Sequence, residues 1–452
     1  MEIAAKRCEI RSRLASEPAS LLVKKASKLV MEIRFALLYE RGVMNLGSLT
    51  IGAKCPREKP SDAYRQEPKR FYLDSLRGIA AIIVVATHFL QAFYPYAVFG
   101  GNYRQQASFE SVFHWPPFSL VIAGNFAVCL FFVLSGFVLT TGHMQFQSQS
   151  RRRLVKAMIK RPIRLGGMVA FSVLISYSLL TCGCYFSERV SLLTGSQPWF
   201  SSFWTDSISI KAFVCDLIFG LFSTSEAYNP PMWTIYKELK GSYIVFLYLL
   251  FRVHLKPLQR AILLAALFLL LYKSLYVGFV AGLAFAELDQ LPFMDKLRAS
   301  RVVAPLTLCL GLLLGMQPYY LQSVESPLTG LLGTVSRFGT GGYSMFGAIL
   351  VFASVLSSVR IQRGLDHRVL RYVGSVSYAM YALHFLLLGS LASWLYLHLI
   401  GSFGHFLATV VAVIGTMPLL AILSHIVTKT VDRPSNDLSN WLANRVGPSC
   451  RD

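Results

Sequence analysis

Charged residues are scarce in this chain. Only 15% of its 452 residues are Asp, Glu, Lys or Arg, whereas 54% are hydrophobic, and the mean hydropathy is +0.50. A soluble protein of this length would divide into two or three domains, each with a charged surface. The 44 basic and 23 acidic residues of this chain are too few to form those surfaces. This scarcity excludes an ordinary cytosolic enzyme, a disordered chain and a secreted disulfide scaffold. It indicates a multi-span membrane protein.

Several common site motifs are also missing. The eight cysteines include no pair of Cys-x-x-Cys units, so the usual zinc and redox dithiol sites are excluded, and we predict neither a metal site nor a bound cofactor. No Gly-x-Ser-x-Gly elbow, His-Glu-x-x-His, Walker loop, Gly-x-Gly-x-x-Gly or His-x4-Asp signature stands where it would be structurally sensible. Hydrolases and nucleoside-triphosphatases therefore lose their usual sequence support.

The shortage of acidic residues leaves a formal net charge of +21. The basic residues stand between long apolar runs and form no amphipathic or aromatic-interleaved surface, which excludes nucleic-acid binding. They are typical of topology signals. Under the positive-inside rule, the basic stretches before Arg77 and at 151–164, 296–301 and 360–371 are predicted to be cytoplasmic.

The apolar runs predict an all-α integral membrane protein with about ten transmembrane helices. Seven long runs lie at residues 78–96, 118–141, 165–185, 302–320, 338–358, 376–398 and 405–427. Three shorter runs lie at residues 241–255, 258–272 and 274–288. Charge alternation makes both termini cytoplasmic and residues 208–222 interfacial or re-entrant.

Three regions follow from these spans. We expect a basic cytoplasmic N-terminal extension over residues 1–68, partly disordered or amphipathic, then a transmembrane domain over 69–434 and a cytoplasmic C-terminal tail over 435–452. Residues 186–240 become the largest non-cytoplasmic loop, and they are rich in aromatic residues. If the chain is eukaryotic, the endoplasmic reticulum or the plasma membrane is the expected location.

Ionisable residues inside a span are expensive, so each is a candidate functional residue. Arg77 and His88 are eleven residues apart, which on a helix places them about 20° apart on one face and ~16 Å apart along the axis. This spacing suits one elongated ligand, with the arginine on its anionic group and a mid-membrane imidazole acting as general base. The alternative is a structural histidine that is hydrogen-bonded to a neighbouring helix.

The sequence Arg161-Pro-Ile-Arg164 opens the third predicted span. Pro162 is expected in the first helical turn, where a proline loses no useful hydrogen bond. The two arginines, three residues apart, would then lie together at the membrane surface, where paired guanidinium groups bind phosphates well. The alternative is that both are topology signals.

Three further segments carry candidate residues. Ser135 lies in Phe-Phe-Val-Leu-Ser-Gly-Phe, where helix packing is the alternative to a functional role. Trp233-Thr-Ile-Tyr-Lys-Glu238 starts a span with a carboxylate that would hold an arginine, orient the histidine or only be solvated. Tyr381 and His384, three residues apart on one helical face, provide a phenol and a second intramembrane imidazole.

Taken together, these motifs resemble the acyltransferase type 3 family of integral membrane acyltransferases. The resemblance rests on Leu73-Asp-Ser-Leu-Arg-Gly-Ile-Ala-Ala with His88, on Phe131–Phe137, on Arg161-x-x-Arg164, on Trp233-Thr-x-x-x-Glu238 and on Ser377-Tyr-x-x-Tyr-x-Leu-His384, followed by Val431-Asp-Arg-Pro434. These motifs stand in the family's order over about residues 70–434. The sequence from Met232 to Ser242 is similar to that of the family's filamentous-fungal branch.

The resemblance implies a core of ten transmembrane helices and transfer of an acyl group, commonly acetyl from acetyl-CoA, to a hydroxyl of a carbohydrate, lipid or small natural product. It places the family's arginine and histidine on Arg77 and His88, and its Arg-x-x-Arg on Arg161 and Arg164. Its tryptophan and glutamate fall on Trp233 and Glu238.

The resulting hypothesis is acyl transfer inside the membrane. Direct transfer fits the absence of an evident nucleophile, and an acyl-histidine intermediate is the alternative. Arg161 and Arg164 would hold the phosphates of acyl-CoA, its arm would pass Arg77, and His88 would deprotonate the acceptor hydroxyl. Glu238, or Tyr381 with His384, would orient the base or the acceptor. The competing class is a multi-pass transporter that uses His88, Glu238 and His384 as a proton or substrate path; a degenerate sensor or scaffold is a third reading. The acceptor and the oligomeric state are not specified by the sequence.

Overall fold

A computed structural model of the protein describes residues 70–144, 150–205, 209–222, 227–317 and 342–446. These residues form helices joined by turns, and the described ranges contain no β-strand, so the all-α prediction is confirmed. In chain order the α-helices are α1 (Phe71–Phe93), α2 (Pro95–Phe99), α3 (Gly124–Met144), α4 (Ser150–Thr181), α5 (Ser187–Thr194), α6 (Ile210–Phe219), α7 (Trp233–Arg252), α8 (Pro257–Leu271), α9 (Val277–Leu288), α10 (Pro292–Ala299), α11 (Val303–Gly315), α12 (Gly342–Ser357), α13 (Val359–Leu365), α14 (Arg368–Leu387), α15 (Ser393–Val427) and α16 (Arg433–Val446). The predicted extension over 1–68 lies outside the described residues.

Four helical stretches are long and apolar enough to cross a membrane. They are α1, α3, residues 151–181 of α4, and the continuous run from Arg368 to Arg445. Two bent pairs, α9 with α10 and α12 with α13, would raise the number to six if each pair forms one span. The described residues thus support four to six spans by length and composition, while the count of ten stays a prediction.

The basic segment 151–164 is helical in the structure, which corrects one expectation. Helix α4 begins at Ser150, so Pro162 lies in its interior and not in a first turn. A proline there has no N–H for the carbonyl of Met158, four residues earlier. The hydroxyl of Tyr243 in α7 donates to that carbonyl at 3.2 Å. A neighbouring helix therefore satisfies the freed oxygen, which is how membrane helices tolerate proline.

Helices α1 and α14 pack in parallel at very close range. A Cβ placed at Gly78 would lie 2.7 Å from the nitrogen of Gly374, and His88 contacts His384 ten residues further along each helix. A constant residue offset means that both helices start at the same end of the bundle. Charge alternation predicts the same side for their starts. Helix α1 ends at Phe93 because Pro95 disfavours helical backbone at the residue before it, Tyr94.

Ion pairs join α1 to α9 and α10 at the end of the bundle where α1 begins. The Asp289 carboxylate, 7% exposed, accepts from Arg70 at 2.8 Å and also pairs with Arg298. Two charge-assisted contacts on one buried carboxylate tie the three helices together there.

The C-terminal segment packs against α4. Ser435 lies against Gly167, and Lys156 donates to Asn444 at 3.2 Å. Over residues 435–446, the segment expected to be a tail thus continues as a helix on the bundle, because Gly167 leaves room for close approach. Segment 208–222, expected to be interfacial, contains α6, whose ten residues extend only ~15 Å.

Candidate active site

Two buried imidazoles meet where α1 packs against α14. Nε2 of His384 lies 3.0 Å from Nδ1 of His88, and the two ring centroids are 5.0 Å apart. His384 is fully buried, and its Nδ1 lies 2.7 Å from the carbonyl oxygen of Tyr381. His88 is only partly buried. The two histidines that the sequence singled out therefore form a hydrogen-bonded pair.

The pair sits nearer the far end of α1 than its middle. His88 is seventeen residues after Phe71, which corresponds to about 26 Å of a helix ~33 Å long. The sequence places this imidazole near mid-membrane, because the apolar run begins only at Gly78. The helix starts seven residues earlier, so His88 lies in its last third.

An aromatic wall, Trp199, Phe203, Trp204 and Phe385, encloses the His88 side of the pair. The Trp199 ring is nearly parallel to the His88 imidazole at a centroid distance of 6.3 Å, and Phe385 meets it edge-on at 5.2 Å. Phe203 packs on both Trp199 and Phe385. Three of these rings come from the loop predicted to be non-cytoplasmic, whose aromatic composition was the only sequence signal for them.

Tyr381 links the histidine helix to the tryptophan motif. Its hydroxyl lies 2.9 Å from Oγ1 of Thr234 and donates to the Pro231 carbonyl at 3.0 Å. Nearby, the side-chain amide of Asn229 donates to the Ala382 carbonyl at 2.8 Å. The turn before α7 is thereby attached to the part of α14 that carries His384.

Glu238 pairs with Arg161. The two side chains, 12% and 13% exposed, form a direct ion pair between α7 and α4. Nε of Arg161 also donates to Oγ of Ser242 at 2.9 Å, one helical turn beyond Glu238. Of the three alternatives that the sequence left for this carboxylate, the structure shows the contact with an arginine. Within the described residues, the ring that contacts His88 as an orienting partner is His384.

The three candidate arginines lie near one another. Arg161 is within electrostatic range of Arg164 and Arg77, and close to the buried phenol of Tyr378. Arg77 binds Asp74 at 3.0 Å, and Arg164, which is exposed, lies near Asp432. Each guanidinium thus has an acidic neighbour and retains N–H groups for another anion.

Ser135 and Trp233 take more peripheral positions. Helix α3 is antiparallel to α1 and abuts Thr87 at Gly124, so Ser135, ~16 Å further along, lies at about the depth of Arg77. The next residue, Gly136, provides the close approach to α9, because a Cβ there would lie 2.4 Å from the Phe279 carbonyl oxygen. Trp233 packs its ring on the ammonium group of Lys237.

Sequence reasoning missed Trp199, Ser242, Tyr378 and Asp432. A motif search finds Asp432 only as part of the terminal Val-Asp-Arg-Pro, and Ser242 only as the end of a branch signature. Their roles depend on which helices are neighbours. Across the described residues, no three His, Cys, Asp or Glu side chains are grouped so as to hold a metal ion.

The site combines a pair of imidazoles with a cluster of three arginines, two on α4 and one on α1. Arg77 and His88 share the unbroken helix α1, so the axial separation of ~16 Å holds. A neutral imidazole accepts a proton, and guanidinium groups bind phosphate. The arrangement can therefore bind an anionic group at one end of an extended ligand and perform proton transfer at the other.

Comparison with known proteins gives a family. The family model described as an acyltransferase domain matches residues 70–425, which is most of the chain and includes every candidate site residue. The chain is 24% identical to Acyltransferase clz18 of Cochliobolus lunatus, with 73% of this chain and 86% of the relative covered. It is 23% identical to Acyltransferase R4 of a Phoma species, with 72% and 84% covered. No solved structure matches the chain.

Proposed function

The chain belongs to the acyltransferase type 3 family, and from that premise we propose that it moves an acyl group from acyl-CoA to a hydroxyl of an acceptor molecule. The acyl group we favour is acetyl. The acceptor is a small molecule, a lipid or a carbohydrate, and the proposed setting is secondary-metabolite biosynthesis in a membrane of the endoplasmic reticulum or the cell surface.

The observation that supports this proposal is a line of contacts through the bundle. It runs from His88 to His384, through the adjacent Tyr381 to Thr234, and along one turn of α7 to Glu238, which holds Arg161. The three contacts between helices join residues that are 296, 147 and 77 positions apart in the chain. A proton-transfer group and an anion-binding group are thus held by one framework.

His88 acts in this proposal as the general base. It takes the proton of the acceptor hydroxyl while the oxygen attacks the thioester carbonyl carbon of acyl-CoA. The C–S bond then breaks, the ester C–O bond remains, and the sulfur of CoA leaves with the proton that His88 carried. Oxygen, acyl group and proton balance in this direct transfer without an acyl-enzyme intermediate.

The arginine cluster is proposed to bind the phosphates of acyl-CoA. Arg161 uses Nε and one terminal nitrogen for Ser242 and Glu238, so its remaining N–H groups are available to an anion. Arg164 is exposed and is the natural first contact for a phosphate arriving from water. Glu238 then serves to aim the Arg161 guanidinium, because a two-point contact fixes the plane of that group.

The aromatic wall favours a lipophilic acceptor. Trp199, Phe203 and Phe385 present apolar rings beside the proposed base, and flat or hydrocarbon-rich molecules pack well on such surfaces. A terpenoid or polyketide alcohol suits this wall better than a free sugar does.

Acyl transfer by the purified protein in lipid nanodiscs tests the proposal. Acetyl-CoA and longer acyl-CoAs would be offered with a panel of hydroxyl acceptors, following CoA release and the acylated product by mass spectrometry. His88→Ala should lower turnover ~10²- to 10⁴-fold, the usual contribution of a general base. His398→Ala is the matched control because that imidazole is exposed on α15.

Two results would count against the proposal. Undiminished acyl transfer by His88→Ala would remove the general base from the mechanism. Movement of a solute across proteoliposome membranes without any release of CoA would instead favour the transporter, in which the same histidines form a proton path.

A further inference from the structure

The contacts of the histidine pair determine which ring nitrogens carry protons. We infer that His384 is a positioning residue that holds His88 with its proton on Nδ1, so that Nε2 of His88 presents a lone pair to the acceptor hydroxyl. The assignment of the protons rests on geometry alone, whereas its catalytic meaning rests on the proposed function.

The first step of the argument concerns His384. Its Nδ1 lies 2.7 Å from the Tyr381 carbonyl oxygen. A carbonyl oxygen only accepts hydrogen bonds, so Nδ1 of His384 must carry a proton. The orientation of this ring is therefore set by the backbone of its own helix, three residues earlier.

The second step concerns the charge of His384. The side chain is fully buried, and the described groups that contact its ring are His88, Tyr381, Phe385 and the backbone of Met380, none of which is a carboxylate. An imidazolium buried without a counter-charge is strongly disfavoured. His384 is therefore neutral, and since Nδ1 has the proton, its Nε2 is a hydrogen-bond acceptor.

The third step transfers this constraint to His88. Nδ1 of His88 lies 3.0 Å from that accepting nitrogen, so the proton between the two rings belongs to His88. A neutral His88 whose proton is on Nδ1 has an unprotonated Nε2.

The remaining nitrogen of the His88 ring is Nε2. The ring is only partly buried, and among the described residues Nε2 of His88 has no hydrogen-bond partner. With the opposite tautomer, Nε2 would point a hydrogen at the acceptor and could not remove its proton. His384 thus selects the tautomer that can act as a base, in the way an orienting group does for other catalytic histidines.

The tautomer can be read directly by nitrogen NMR. The protein would be labelled with ¹⁵N-histidine in nanodiscs without substrate, and the His88 resonances assigned by their loss in His88→Asn. We expect wild-type His88 to be neutral with a proton on Nδ1. A wild-type His88 with its proton on Nε2 overturns the inference, whether or not any acyl transfer has been detected.

Two variants of His384 separate positioning from packing. His384→Gln can place an amide oxygen near the former Nε2 and still accept from His88, whereas His384→Leu cannot. We expect the leucine variant to shift His88 toward the Nε2-protonated form and to lower kcat ~10²-fold with KM for acyl-CoA unchanged, and the glutamine variant to recover at least tenfold of that loss. Equal impairment of both variants, with the His88 tautomer unchanged, contradicts the inference.

The two failures can be told apart. If no acyl-CoA and acceptor pair reacts with the wild-type protein, the proposed function fails while the NMR spectrum still reports the tautomer. If His384→Leu does not fold, the wild-type spectrum alone decides the inference.

Discussion

Replacing Gly374 by alanine should force α14 away from α1 at their closest approach. A Cβ added at Gly374 would lie 2.0 Å from the Asp74 carbonyl oxygen, whereas ordinary van der Waals contact begins at 3.4 Å. The obstructing atom belongs to the backbone and cannot rotate away. The helices must therefore separate by about 1.4 Å at this point, the difference between the two distances.

This separation has two measurable consequences. Overpacking of this kind costs roughly 1–3 kcal/mol of stability. If the helices move as rigid bodies, the 3.0 Å contact between His88 and His384 lengthens to ~4.4 Å, which is too long for a hydrogen bond. The substitution is ten residues from the histidines, so it changes their spacing without altering either ring.

Thermal unfolding in nanodiscs and acyl-transfer turnover would be measured together. Gly364→Ala is the matched control, because that glycine lies on the exposed helix α13 and a Cβ there meets nothing within 4 Å. We expect Gly374→Ala to unfold at a lower temperature than the control and to lose turnover. Equal unfolding temperatures and equal turnover for the two variants would refute the reasoning that close packing of α1 on α14 sets the histidine spacing.

Two further predictions concern other parts of the bundle. Tyr243→Phe removes the donor to the Met158 carbonyl and should cost about 1 kcal/mol of stability. Adding Pro162→Ala should recover the lost stability, because the new N–H of residue 162 can donate to that carbonyl. Thermal unfolding of the double variant that shows no such recovery would contradict this. Glu110, between α2 and α3, accepts from three backbone N–H groups, yet burial raises the pKa of its carboxyl above the ordinary value of 4.5. A raised pKa means that the folded state binds the proton more tightly, so stability should fall as pH rises above 4.5 in the wild type relative to Glu110→Gln. A difference in unfolding temperature that does not change with pH would argue against it.

The case of Pro162 shows how neighbouring helices limit sequence reasoning. From sequence, a proline between two arginines is best placed in a first helical turn, since its missing N–H is then harmless. In the structure Pro162 lies in the interior of α4, where the hydroxyl of Tyr243, eighty-one residues later, donates to the carbonyl that the proline leaves without an N–H partner. No local pattern contains that information.

Glu238 makes the same point for the site. Its spacing from Trp233 follows from the sequence, and so does its place near the start of a helix. Whether it meets a histidine or an arginine depends on how α7 packs against α4. The side-by-side arrangement of those helices puts Arg161 within reach and leaves His88 to a partner on α14.

The sequence by itself determined the class of protein and the helical architecture, and it supplied the candidate site residues. Scarce charge and long apolar runs require helices in a membrane, because an unbonded backbone group in hydrocarbon is too costly. The single helix that carries Arg77 and His88 also fixes their ~16 Å spacing. Only the tertiary structure decided which side chains are partners. The His88–His384 pair, the Arg161–Glu238 pair and the aromatic wall each join distant parts of the chain. The histidine pair further depends on the close approach of α1 and α14 at Gly78 and Gly374, which no periodicity records.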